Sequence, residues 1–287
     1  MAEKETVIVT GGAGFVGSCL ITRLLPKYRV ISLDNYFAGS ESNHIEGVEY
    51  VKGHTKDIEK LLGHEHPVII FHLGEYSRVE ISLTEPAIVW DLNVAGTFGV
   101  LEYWRARGCK LVYAGSSTKF ADGGLGRDQS PYAFTKATNT ELVRNYARWY
   151  GLPYAITYFY NVYGPGERTG RYGTVVEIFR ERFLAGEPLL VRAPGTQRRI
   201  FTHIDDIIDG LLLVAQKGQG DEFGLGSEDE LSILELAELF GAPIEMLPEV
   251  PGNRMQSSLD ATKSHAIGWR AKRSIREYIE SIKKEKK

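Results

Sequence analysis

A tyrosine and a lysine four residues apart, Tyr132 and Lys136 in Ser-Pro-Tyr-Ala-Phe-Thr-Lys, are the residues of this chain best suited to acid–base chemistry. In a helix that spacing puts both side chains on one face. A free phenol titrates near pH 10 and is a poor base at neutrality. An ammonium 4 Å away offers it about 4 kcal/mol at an effective dielectric of 20, hence at most about three pKa units. Tuned in this way, Tyr132 can exchange a proton with a substrate hydroxyl. The pattern alone is common, and an exposed tyrosine beside a surface lysine is its ordinary meaning. Its position gives it weight. It follows an apolar run, Lys110 to Ala114, that ends in Gly-Ser116-Ser117-Thr118, where a hydroxyl can bond the same substrate oxygen.

A second constellation lies near the N-terminus. Thr10-Gly-Gly-Ala-Gly-Phe-Val-Gly17 follows a β-branched run, Thr6 to Thr10, and opens a stretch of helical spacing, Phe15 to Leu25. Gly11 permits the tight turn, Gly14 lets a pyrophosphate approach the backbone, and Gly17 lets helix and strand pack closely. The free N–H groups of the first helical turn then face phosphates. Asp34, at the end of the next apolar run, can accept hydrogen bonds from ribose hydroxyls and repel a 2′-phosphate. The pattern points to a dinucleotide, NAD in preference to NADP.

Short apolar runs predict strands at 6–10, 29–34, 48–52, 68–72, 110–114 and 154–160, with helices at 15–25, 86–107 and 132–150 between them. Such alternation predicts an α/β fold with a parallel sheet covered on both faces. The last third has turn-rich pieces (PGERTGRYG, RAPGTQRR, GLGSEDE) between shorter helices and ends in a Lys/Glu-rich amphipathic helix. It predicts a smaller lobe over the carboxyl edge of the sheet.

The bulk composition sets limits. A chain of 287 residues, 43% hydrophobic, can bury one large core with a companion lobe. A net charge of −3 argues against a broad nucleic-acid or membrane surface. Any anion must be met locally, by arginines and helix N-termini. Cys19 and Cys109 sit in apolar runs and predict buried, reduced thiols. The seven histidines show no metal spacing, and His72, at a strand end, predicts a packed, hydrogen-bonded ring. Asp205-Asp206 opens an apolar helical stretch and predicts capping and dipole compensation. With no signal-peptide pattern and no apolar stretch near the roughly 20 residues that span a bilayer, a cytoplasmic location is expected.

Taken together, these motifs resemble the extended short-chain dehydrogenase/reductase superfamily, and most of all its UDP-glucose 4-epimerase branch. The likeness runs through TGGAGFVGS, Asp34-Asn35, His72-Leu73, Asn93-Val-Ala-Gly-Thr97 and the Tyr132 motif. It continues in Asn161-Val-Tyr-Gly-Pro165, Gln197 to Asp206 and Phe223-Gly-Leu-Gly226. It implies a Rossmann-type doubly wound sheet over 1–165, with return segments near 200–215. A smaller C-terminal α+β lobe, 166–287, would bind a nucleotide-diphosphate sugar, UDP-linked by preference. Tyr132 would be the base, Lys136 would bind the nicotinamide ribose, and Ser116 would be the hydroxyl partner. NAD would further meet Gly11, Gly14, Phe15, Val16 and Gly17, then Asp34 and Asn35, and also Asp57, Ile58, Leu73 and Tyr160. Ser116, Ser117, Asn161, Arg199 and Arg254 would hold the substrate, with guanidinium forks suited to phosphate oxygens. A homodimer formed through the helices near 86–107 and 132–150 is also implied.

The chain departs from the family pattern at several points. Ser117-Thr118 stand where 4,6-dehydratases carry an Asp-Glu pair and where decarboxylases commonly carry a glutamate, which disfavours both reactions. His54 replaces an aspartate that holds adenine, with Asp57 one turn later. Glu75 replaces a small residue and is expected to approach the cofactor pyrophosphate or the substrate. Tyr158 replaces a frequent arginine, and the segment 121–130 that shapes the sugar pocket is short. The expected activity is therefore an epimerisation through transient oxidation at sugar carbon 4. Net dehydrogenation or keto-reduction of a nucleotide sugar is the alternative, and a non-catalytic binding module is a third reading.

Overall fold

The β-branched runs form the centre of the molecule. The structure, a computed structural model, describes residues 4–249, 258 and 260–286. Strands β1 (Thr6–Thr10), β2 (Arg29–Asp34), β3 (Glu49–Lys52), β4 (Ile69–His72), β5 (Lys110–Ser116), β6 (Tyr154–Phe159) and β7 (Gly220–Leu225) make one seven-stranded sheet in the order β7-β6-β5-β4-β1-β2-β3. Every pairing in it is parallel. Chain direction across the sheet reverses at β1, whose neighbours are β2 and β4. A crevice at the carboxyl ends of strands at such a switch point is where doubly wound folds bind ligands.

Strand alternation builds two core faces. Val7 and Val9 face Leu20, Ile21, Ile204, Ile207 and Leu211 on one side. Ile8, Ile31, Leu33 and Ile70 face Val100, Trp104 and Val143 on the other. These side chains are essentially inaccessible to water, and burying each contributes roughly 1.5–3 kcal/mol. Helix Phe15–Leu24 and helix Ile204–Lys217 lie over the first face. The helical stretch 86–107 and helix Pro131–Tyr150 lie over the second. The former is not uniform: Trp90–Ala95 is a π turn inside the α-helix, a rare local widening often found at functional sites.

The seventh strand corrects the domain division expected from the sequence. Residues 220–225 belong to the large sheet and not to the smaller lobe. The lobe itself has a separate core of Val176, Phe179, Leu189, Val191, Phe240 and Ile279. Strand Leu189–Arg192 pairs in parallel with Ile244–Leu247, and Arg198–Ile200 pairs antiparallel with Glu230–Ser232. Thr202–His203 pairs with Val162–Tyr163 and ties the lobe to the end of β6.

Helix Ile204–Lys217 is capped by His203, whose Nδ1 accepts from the Asp205 amide at 3.2 Å. The expected Asp-Asp cap is thus replaced. Asp206 is buried and instead binds the Lys272 and Arg273 amides at 3.0 and 2.9 Å, and the Arg273 guanidinium at 2.7 Å. Both cysteines are free, and burial pushes the Cys109 thiol up to about 12. Among the described residues no helix is long and apolar enough to cross a membrane, and no three His, Cys, Asp or Glu side chains are grouped to hold a metal.

Candidate active site

A cavity of about 470 Å3 opens over the carboxyl ends of β1, β2, β4 and β5, within the range that small-molecule sites occupy. Its floor is the glycine loop. Gly11 has φ +73°, a left-handed conformation that glycine adopts without strain. A Cβ at Gly17 would lie 2.1 Å from the Gly11 carbonyl oxygen, so only hydrogen fits between helix and strand. Gly14, Phe15, Val16 and Leu73 also face the cavity.

At the end of β2, Asp34 accepts from the Ala13 amide through Oδ2 at 2.9 Å and from the Tyr36 amide through Oδ1 at 2.8 Å. Burial raises its carboxyl above the ordinary carboxylate value, against the pull of these two amides. Both donors come from backbone, so the carboxylate is held at the cavity wall with lone pairs to spare. Asn35 lines the same wall and accepts from the Phe37 amide at 3.0 Å. A glycine cradle closed to any Cβ, with a fixed carboxylate at the end of the next strand, fits a dinucleotide's pyrophosphate and ribose.

Three residues expected at the cofactor lie elsewhere. Asp57 is exposed and outside the cavity, and Ile58 is fully buried in the sheet's core. Tyr160 is also buried, and its hydroxyl donates to the Ser258 carbonyl at 2.9 Å. Gly53, Thr55, Phe37, Ala38 and Gly39 line this end instead. The signal for the last three was their place in the loop that follows Asp34. His54 does not face the cavity either. Its Nδ1 accepts from the Lys56 amide at 3.0 Å, and its Nε2 is 3.1 Å from Asp91.

The catalytic candidates converge at the other end. Ser130 caps helix Pro131–Tyr150, accepting from the Ala133 amide at 3.1 Å, and Pro131 fills the first helical position, where its missing N–H costs nothing. Tyr132 is thereby fixed in the first turn, and its hydroxyl donates to Ser116 Oγ at 3.1 Å. Ser116 ends β5 and lies 2.9 Å from Thr118 Oγ1. Ser117 lines the cavity beside them.

Lys136 departs from expectation. Its ammonium donates to Glu75 Oε2 and, at 2.5 Å, to the Ala114 carbonyl. The Glu75 side chain is 3% exposed and lines the cavity wall. Its Oε1 accepts from Asn139 Nδ2 at 2.7 Å, Thr97 Oγ1 at 2.8 Å and the Tyr113 hydroxyl at 3.1 Å. Burial is the largest single influence and opposes ionisation of Glu75, but the Lys136 charge, the His72 ring and the hydrogen bonds from Lys136 and Thr97 together hold the carboxyl below its usual range. The ammonium expected beside the phenol is therefore also one half of a buried ion pair. Nothing near Glu75 in sequence signals this, because its partners come from three other elements.

The network reaches His72. Thr97 gives its only proton to Glu75, so His72 Nε2, 3.0 Å away, must be the donor to Thr97 Oγ1. Nδ1 then accepts from Thr10 Oγ1 at 2.7 Å. Burial pushes the ring down to about 4, so it is neutral at pH 7. Asn93, in the π turn, accepts the Tyr76 amide at 2.7 Å and donates to Thr135 Oγ1 at 3.0 Å.

Of the expected substrate residues, Ser116, Ser117, Asn161 and Arg199 line the cavity. Asn161 has φ +30°, and its amide donates to the Ile200 carbonyl at 2.7 Å. Arg254 lies outside the described residues. Three further residues line this end that the motifs did not single out as ligands: Arg78, Glu167 and Tyr172. Arg78 Nε donates to the Tyr172 carbonyl at 2.6 Å. Glu167 Oε1 accepts from the Thr174 amide at 3.0 Å, and burial pushes its carboxyl up to about 7.

Comparisons with known proteins agree with this geometry. Residues 7–226 match the model of the NAD dependent epimerase/dehydratase family. The chain is 31% identical over 298 residues to a UDP-glucose 4-epimerase of Mycolicibacterium smegmatis, covering 95% of each. It is 28% identical over 300 residues to UDP-glucuronic acid decarboxylase 5 of Arabidopsis thaliana, covering 94% of this chain and 86% of that one. Among solved structures, the UDP-glucose 4-epimerase of Thermus thermophilus in complex with NAD superposes with a TM-score of 0.87 at 28% identity, covering 96% of each chain.

Proposed function

The chain belongs to the NAD-dependent epimerase/dehydratase family, and from that premise we propose that it is a nucleotide-sugar 4-epimerase acting on a UDP-linked sugar. The observation that carries the reading is the Tyr132 to Ser116 hydrogen bond of 3.1 Å at the mouth of the glycine-loop cavity, with hydroxyl side chains at 117 and 118 and no acid there to protonate a leaving group.

NAD is the cofactor, and when bound it supplies the oxidation of a sugar carbon and its reversal. Gly11, Gly14 and Gly17 give its pyrophosphate room, and Asp34 takes the adenosine ribose. Tyr132, ionised, accepts the proton of the 4-hydroxyl as that carbon is oxidised, and returns it when the 4-keto sugar is reduced. Ser116 holds the same oxygen through both steps. Lys136 keeps a positive charge beside the phenol while Glu75 fixes where that charge sits. Asn161 and Arg199 hold the diphosphate, about which the sugar turns between the two half-reactions.

A second reading is net oxidation of a nucleotide sugar with exchange of NAD. The adenine end favours it, since both ring nitrogens of His54 are engaged by Lys56 and Asp91 and leave nothing for adenine. Gel filtration of purified protein separates the two. NAD that co-elutes, with interconversion of UDP-hexoses seen by proton NMR, supports the epimerase. NADH released in proportion to substrate supports net oxidation. Relatives are named for both UDP-glucose and UDP-glucuronic acid, which leaves the charge of the sugar open.

A further inference from the structure

Arg78 sits at the sugar end of the cavity with its charge unmet. It immediately precedes the short helix Val79–Ser82, and Ser82 Oγ accepts from the Tyr132 amide at 3.4 Å. The guanidinium lies within electrostatic range of the Tyr132 phenol. Its Nε and Nη2 both donate to the Tyr172 carbonyl. Its Nη1 donates to the Ser77 carbonyl and to Ser77 Oγ, each at 3.1 Å. These bonds use four of the five N–H groups, and every acceptor is neutral. Among the described residues no carboxylate oxygen lies within ion-pair distance of Arg78.

Lys136, the cation buried most deeply among the described residues, is by contrast compensated by Glu75. An enclosed charge without a counterion is costly, and burial indeed lowers the affinity of Arg78 for its proton. The acid that acts on it most is Glu167, which shares the cavity wall. That carboxyl is itself pushed up to about 7, and its Oε2 is buried without a partner. Near neutral pH it compensates Arg78 only in part. With Arg168 also lining the cavity and acting on Arg78, this end of the site is short of negative charge near the Tyr132 phenol.

We propose that Arg78 binds a carboxylate carried by the sugar ring, so that the preferred substrate is a nucleoside-diphosphate hexuronate. This rests on the nucleotide-sugar reading and specifies it. A carboxylate at carbon 6 stands one ring carbon beyond the position that Tyr132 addresses, and it supplies the anion that Arg78 lacks. The diphosphate is the other source of anionic oxygen, and the test separates the two.

Calorimetric titration of the NAD-saturated protein with UDP, UDP-glucose and UDP-glucuronate, in the wild type and in Arg78→Ala and Arg78→Lys, is decisive. The expected result is a wild-type preference for UDP-glucuronate over UDP-glucose. That ratio should fall by about 10- to 100-fold in Arg78→Ala, as loss of a charge-assisted bond predicts, and recover in part in Arg78→Lys. Equal weakening of all three ligands in Arg78→Ala assigns the residue to the diphosphate and overturns the proposal. A ratio unchanged by Arg78→Ala overturns it too, and so does a wild type that binds both sugars alike. Should the alanine variant fail to fold, the wild-type ratio and Arg78→Lys decide alone. If the wild type binds none of the three, UDP included, the nucleotide-sugar reading itself fails.

Discussion

Lys136 and Glu75, 61 residues apart in the chain, form a buried ion pair beneath the proposed catalytic tyrosine, with the carboxylate further held by Asn139, Thr97 and Tyr113. The ammonium that would favour ionisation of Tyr132 thus acts with a negative charge at its side. Glu75→Gln keeps an acceptor for the three neutral donors and removes that charge. Breaking a buried pair by removing one partner costs about 3 kcal/mol or more, which urea denaturation would read. The same change leaves the Lys136 field uncancelled, and an adjacent positive charge favours ionised forms. The acid limb of the kcat/KM profile should move to lower pH in the variant. A limb that stays in place while stability falls would show that the pair is structural only.

The phenol and the serine can be tested separately. Tyr132→Phe removes the proposed proton acceptor and should lower kcat by about 10²- to 10⁴-fold, with NAD still bound to the glycine loop. Ser116→Ala removes one neutral hydrogen bond to the substrate oxygen and should cost less. Full turnover in Tyr132→Phe would remove that residue from the chemistry.

Two groups should shape the pH dependence of stability in opposite senses. His72 ordinarily titrates at 6.5 and is held at about 4 in the fold. Between those values the unfolded chain binds a proton that the folded one does not. Stability therefore falls as pH drops from 6.5 to 4, by at most about 3 kcal/mol. Glu167 ordinarily titrates at 4.5 and is raised to about 7. Between those values the folded chain keeps the extra proton, so its contribution is lost as pH rises from 4.5 to 7, by a similar amount. Urea midpoints across pH for His72→Gln and Glu167→Gln, against the wild type, should each flatten one side. Profiles unchanged by either substitution would contradict the burial argument.

Large apolar side chains remain on the outer faces of the two helices expected to pair chains. Trp90 is 53% and Phe98 52% exposed, and Trp90 stacks on Phe134 with ring centroids 6.4 Å apart. We expect a homodimer by light scattering, converted to monomer by Trp90→Asp. A wild type that is monomeric at all concentrations would reject that expectation.

How far the sequence could be read follows from the range of each interaction. The strands from β1 to β6 were legible because apolar and β-branched runs mark a strand locally. Strand β7, Gly-Asp-Glu-Phe-Gly-Leu, was not, since it is short of such residues and becomes a strand only by pairing with β6. Gly11, Gly17 and Asp34 were legible because the loop, the helix and the strand end that join them are consecutive. Asp57, Ile58 and Tyr160 do not line the cavity, because resemblance assigns a position and not a direction. Ile58 is buried in the cluster that holds Val100, Leu101 and Trp104, and the Tyr160 hydroxyl is bound to the Ser258 carbonyl, both far off in the chain. Glu75 and Arg78 fall in the same class: their chemistry depends on Lys136 and Tyr172, which only the folded chain brings to them.

The central claim is that one hydroxyl-bearing carbon is oxidised and then reduced on the opposite face without loss of its hydrogen. A UDP-sugar deuterated at carbon 4 tests it most directly. The expected product is a 4-epimer that retains the deuterium at carbon 4 by NMR, with no NADH accumulating. A product that has lost the label, or label found in free NADH beside a keto sugar, would contradict it.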